Sequence, residues 1–152
     1  MSTMTHTRKS IRAMLDTRAV YRFERICESA FPKALTRDAP MAELQMLAAR
    51  IWAERKREGE LYVRANTGTS HDGKKISYCE TGRVKEGYAY ADIVLARHER
   101  RPYVLLHEMA HALGHHQHGP SFVHCYSELL VEYGGMDRAT LVDMMLAGGV
   151  RL

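Results

Sequence analysis

The sequence predicts an α+β domain, and three observations carry that expectation. Apolar residues recur at helical spacing before residue 60 and after residue 101. Three short stretches rich in aromatic and β-branched residues lie between them. Proline and glycine punctuate the joins. A chain of 152 residues fits one domain with one core. Residues 1–9 read as a flexible N-terminus and residues 10–152 as a single domain.

The first helix is expected over residues 10–31. Ile11, Met14, Leu15, Val20, Phe23, Ile26, Cys27 and Ala30 recur there at helical spacing, and Pro32 stops it. After a linker containing Asp38 and Pro40, residues Met41, Leu44, Leu47, Ala48, Ile51 and Trp52 mark a second amphipathic helix that ends near Gly59. Residues 61–65, 76–80 and 88–96 read as strands, the last being the strongest. The segment 68–75 is rich in turn formers, 82–87 joins two strands, and 97–101 is a charged connection. Pro102 suits the first turn of a helix running to about Leu113, with Gly114 as its exit. Pro120 opens the next helix, whose stripe is Phe122, Cys125, Tyr126, Leu129, Leu130 and Tyr133, and Gly134-Gly135 end it. Asp137 can cap a last helix over residues 138–147. The expected order is α-α-β-β-β-α-α-α.

Composition sets limits on function. Apolar residues make up 45% and charged residues 26%, as in ordinary globular proteins. No apolar run approaches the roughly 20 residues that span a bilayer, and no apolar stretch of signal-peptide length follows the basic N-terminus. A cytoplasmic protein with no membrane partner is therefore expected. The three cysteines, Cys27, Cys79 and Cys125, are scattered, with no Cys-x-x-Cys pair. Reduced, mostly buried thiols fit that pattern better than a disulfide framework or a zinc ribbon. The net charge is +4, with arginines gathered at Arg8, Arg12, Arg18, Arg22 and Arg25 and again at Arg97, Arg100 and Arg101. Nucleic acid is compatible with that bias, but solvated helix faces account for it more simply.

The chemistry concentrates at His107-Glu108-Met109-Ala110-His111. Residues four apart on a helix leave the same face about one turn apart, so two imidazoles can take two corners of a zinc tetrahedron. Glu108 projects beside them, where it can accept a proton from water activated by the metal and pass it to a leaving amine. Val104, Leu105, Leu106, Met109, Ala110, Ala112 and Leu113 are all uncharged, as in a helix that is buried while presenting one polar face. An incidental pair of histidines on a surface helix would be flanked by charges.

Catalytic zinc usually has three protein ligands and an open position. Six of the nine histidines lie between residues 107 and 124. His115, on a continued helix, would sit about 12 Å along the axis from His107, too far for one zinc with bonds near 2 Å. His118 is better placed, because Gly114 lets the chain turn and Gly119-Pro120 starts a new helix. Glu128, on that next helix, is the alternative third ligand.

Taken together, His107-Glu108-Met109-Ala110-His111 and His118-Gly119-Pro120-Ser121-Phe122 resemble the SprT-like metallopeptidases, in which an H-E-x-x-H helix is followed by a third histidine in an H-G-P-x-F segment. The stretch from Lys75-Ile76-Ser77-Tyr78-Cys79 through Ile93-Val94-Leu95 looks similar to a smaller related group of metallohydrolases from actinobacteria and their phages. The resemblance covers about residues 60 to 135. It implies a minimal zincin-like fold, a small three-stranded sheet packed against the active-site helix with flanking helices. It also implies His107, His111 and His118 as zinc ligands, Glu108 as general base and a protein or peptide substrate. The cysteines for a C-terminal zinc ribbon are missing and no DNA-binding tail is recognisable, so the DNA-linked repair role of some relatives is not expected here. The metzincin pattern fails, because its third histidine falls on Gln117. Met136 then reads as a core or turn methionine.

Two other readings compete with a zinc peptidase. One is a regulatory ImmA-like protease with Glu128 as third ligand; the other is a non-catalytic module that keeps zinc for structure. The strand before the motif helix, residues 88–96, is expected at a sheet edge, where a substrate peptide could add. Tyr126, Tyr133, His115 and His116 are candidates to stabilise an oxyanion.

Overall fold

A computed structural model describes residues 2–67, 76–83 and 89–152, with side chains from Arg8 onward. The expected turn-rich segment 68–75, most of the 82–87 connection and the start of the third strand at Tyr88 lie outside the described residues. Among the described residues the protein is α+β, with six α-helices and a three-stranded mixed sheet. They group into two compact units: Lys33–Gly114, and Met1–Pro32 with His115–Leu152. No described helix is long and apolar enough to cross a membrane.

The unit Lys33–Gly114 holds α2 (Lys33–Thr36), α3 (Met41–Glu54), β1 (Glu60–Ala65), β2 (Tyr78–Arg83), β3 (Ala89–Leu95), a 3-10 turn (Arg97–Glu99) and α4 (Pro102–Ala112). The sheet order is β1-β3-β2, with β1 parallel and β2 antiparallel to β3. This corrects one expectation: the strand preceding the motif helix is central, with both of its edges occupied. Ile93, Val94 and Leu95 are all buried, which an edge strand with one wet face does not allow. β1 alternates between half-buried and exposed residues, and its Arg64 reaches Asp92 of β3 at 3.0 Å. The inner stripe of α3, Leu44, Ala48 and Ile51, is buried, and α3 packs on β1. α4 packs against β2, β3, α2 and α3.

β2 lies further along the chain than expected. Tyr78 pairs with Val94, so Ile76 falls opposite the point where β3 gives way to the 3-10 turn, and it is 59% exposed. Its carbonyl instead accepts from the Asn66 side chain at 2.8 Å. The strand continues through Gly82, whose cross-strand partner is Tyr90. A Cβ at Gly82 would come within 2.8 Å of the Tyr90 ring, so only glycine lets that ring lie over the strand.

The unit Met1–Pro32 with His115–Leu152 is helical: α1 (Ser2–Cys27), a 3-10 turn (Glu28–Ala30), α5 (Pro120–Glu132) and α6 (Arg138–Ala147). α1 begins at Ser2 rather than residue 10, and its α-helical part ends at Cys27. The last residues before Pro32 tighten into the 3-10 turn, and Phe31 is extended (φ −71°, ψ 150°), because a residue preceding proline is pushed out of the α region.

The face that α1 buries also differs from its apolar stripe. Ile11, Met14, Leu15 and Ile26 are exposed, while Asp16, Ala19, Val20, Phe23, Glu24 and Cys27 are buried. Each buried carboxylate has a partner. Arg151 donates to Asp16 at 2.8 Å, and the Tyr126 hydroxyl donates to Glu24 at 2.7 Å. Phe23 packs beside Phe31, and Phe122 beside Tyr126. Met136 is buried after α5, and its N–H donates to the Leu130 carbonyl, as a core methionine would. The Asp137 side chain accepts from the Thr140 N–H at 3.0 Å, the cap expected of it.

Candidate metal centre

α4 forms where it does for local reasons. Pro102 occupies the first turn, where a missing N–H costs nothing. Gly114 follows with φ +111°, a left-handed conformation that ends the helix and suits glycine. Nine of its eleven residues are buried, including His107 and Glu108, as expected of a helix with uncharged flanks. His107 is 2% and Glu108 5% exposed. Burying an imidazole and a carboxylate is costly unless each has a partner, so such a pair on one helix points to polar chemistry at that face. One turn apart, the His107 and His111 rings have centroids 5.2 Å apart in an edge-on arrangement.

His118 stands just before α5, where Gly119 is the extended residue ahead of the helix and Pro120 opens it. Its ring packs edge-on to Phe122, four residues on, with centroids 4.8 Å apart. That contact gives the phenylalanine of the His118-Gly119-Pro120-Ser121-Phe122 segment a physical role. Tyr21 of α1 lies 5.5 Å from the same imidazole, and Thr17 Oγ1 is 3.1 Å from its Nδ1.

His107, His111 and His118 form a group that could hold a metal ion, each offering one ring nitrogen within 4.8 Å of the others. Nitrogens at the corners of a zinc tetrahedron with bonds near 2.0 Å stand about 3.3 Å apart. Three neutral imidazoles are a suitable donor set for zinc and for several other divalent transition metals. Glu128, the alternative third ligand, is not in this group; its carboxylate accepts from Arg138 Nη1 at 2.9 Å.

The remaining expected residues distribute as follows. Tyr126, a candidate for oxyanion stabilisation, is fully buried and gives its one hydroxyl proton to Glu24, so it acts as a core group. His115 and Tyr133 are half-buried and His116 is exposed. All three cysteines are free. Cys79 of β2 has neighbours that sequence reading did not anticipate: burial first, then the nearby Glu108 carboxylate, push its thiol up to about 12. Thr17 and Tyr21 were also not anticipated. The available signal was a polar, β-branched residue inside α1 followed one turn later by an aromatic, which periodicity alone does not single out. No family model, no curated protein and no solved structure matches the chain.

Proposed function

We propose that this protein is a zinc-dependent metallohydrolase that cleaves peptide bonds, with His107, His111 and His118 as ligands and Glu108 as general base. The observation that carries this reading is the three-imidazole group with a buried carboxylate next in sequence to His107. Zinc in such a site supplies Lewis acidity and brings the deprotonation of water within reach of neutral pH. Glu108 takes the proton of the attacking water and delivers it to the leaving amine. The low exposure of Glu108 limits competing bulk water and strengthens its electrostatic interactions.

The peptidase form draws on the likeness to SprT-like metallopeptidases and on a minimal zincin-like reading of the fold, in which the small sheet packs against the motif helix. An extended substrate would add to β2, the antiparallel edge strand that packs against α4, rather than to the central β3.

The test compares the zinc-loaded wild type with Glu108→Gln on an unstructured protein substrate such as casein. Loss of a general base costs roughly 10²–10⁴-fold in rate. The variant is expected to lose activity on that scale while keeping its zinc. Undiminished cleavage by the variant would remove Glu108 from the chemistry. Inactivity of the wild type across many proteins, including protein bound to DNA, would remove the peptidase claim.

A further inference from the structure

We infer that Thr17 is a positioning residue for the third imidazole: it holds His118 as the Nδ1–H tautomer, so that Nε2 carries the lone pair offered to a metal. This rests on the reading of His118 as a ligand.

Thr17 Oγ1 lies 2.9 Å from the carbonyl of Ala13, four residues back on α1, and 3.1 Å from His118 Nδ1. A threonine hydroxyl has one proton and two lone pairs, whereas a carbonyl only accepts. Of the two acceptors within reach the Ala13 carbonyl is the nearer, so the hydroxyl proton is assigned to it, a common back-bond for helical threonine. The Thr17 oxygen is left to accept, and the proton between it and the imidazole belongs to Nδ1. The nitrogen that binds a metal is set by the hydrogen bond the other one makes.

Two aromatic contacts restrict the ring. Tyr21 sits one turn beyond Thr17 on α1, and Phe122 lies four residues beyond His118, with centroids 5.5 and 4.8 Å from the imidazole. The rings restrict where the imidazole lies, and the hydroxyl decides which nitrogen is protonated. A neutral imidazole in water prefers the Nε2–H form, so Thr17 would reverse the default tautomer.

The test needs no activity assay. Two-bond ¹H–¹⁵N correlation spectra of the metal-free full chain, at about pH 8 where imidazoles are neutral, read the His118 tautomer directly. The wild type and Thr17→Ser are expected to show Nδ1–H, and Thr17→Val, which keeps the shape but not the acceptor, to shift toward Nε2–H. In zinc competition titrations Thr17→Val is expected to bind about 10–100-fold more weakly than wild type, with Thr17→Ser restoring affinity. A wild-type His118 in the Nε2–H form overturns the inference, and that reading requires no variant to fold. Equal zinc affinity in Thr17→Val and wild type overturns it as well. If the wild type binds no zinc yet shows Nδ1–H at His118, the proposed function falls while the Thr17 hydrogen bond stands.

Discussion

Cys79 shows how a neighbourhood sets the chemistry of a residue. Its thiol is held far above the ordinary range by burial and by the Glu108 carboxylate, so it stays protonated at neutral pH and is a poor nucleophile. In metal-free folded protein, iodoacetamide at about pH 8 should leave Cys79 unmodified, and denaturation should expose it to alkylation. Peptide mapping by mass spectrometry distinguishes the two, and rapid labelling of native Cys79 would contradict this account. The same residue marks a limit of sequence reading. Three scattered cysteines, odd in number, already suggest reduced thiols, and Cys79 is free, but its nearness to Glu108 comes from a strand packing against a helix about thirty residues away in sequence. Thr17 is a similar case, since its meaning depends on an imidazole 101 residues later.

Elements whose signals are local were legible. α4, α5 and α6 follow from Pro102, Gly114, Pro120 and Asp137, each acting within a turn of its own position. α6 in particular starts where its cap predicts. The Asp137 carboxyl is held below its usual range by the Thr140 N–H and hydroxyl. A depressed folded-state pKa means the cap's contribution is present above the unfolded carboxylate range and is lost as pH falls through the lower folded value. Asp137→Ala should therefore lower the melting temperature near neutral pH, and the gap to wild type should narrow towards about pH 2. Asp137→Asn should retain most of the cap without that pH dependence. Melting curves followed by circular dichroism check both.

The buried face of α1, the register of β2 and the central place of β3 were not legible, because each depends on a partner remote in sequence. Asp16 and Glu24 occupy the inner face of α1, where Arg151 and Tyr126 meet them. β3 is central because β1 and β2 both pair with it, which makes its apolar run part of a core. Removing buried side chain from this core should cost accordingly. Leu106→Ala in α4, where the native residue is fully buried, should destabilise by about 2–5 kcal/mol, and Ile93→Val in β3 by about 0.5–1.5 kcal/mol. Chemical denaturation gives both values, and near-wild-type stability for Leu106→Ala would contradict the burial of α4.

At the scale of the whole molecule, the α+β class was legible from the order of periodic segments. So was the pairing of His107 with His111, because one-turn spacing is a property of the chain itself, whereas His118 stood beside Glu128 as one of two possible third ligands. The role of the three histidines as zinc ligands is a proposal, and it has a consequence for stability. A metal that binds only the folded chain stabilises it by about 2.7 kcal/mol at a free concentration 100 times its dissociation constant. Zinc should raise the melting temperature of wild type and not that of His107→Ala. The most direct test of the central claim is zinc stoichiometry by elemental analysis after equilibration and desalting, compared among wild type, His118→Ala and Glu128→Ala. The account predicts one zinc per chain in wild type and in Glu128→Ala, and its loss in His118→Ala; zinc retained by His118→Ala and lost by Glu128→Ala would contradict it.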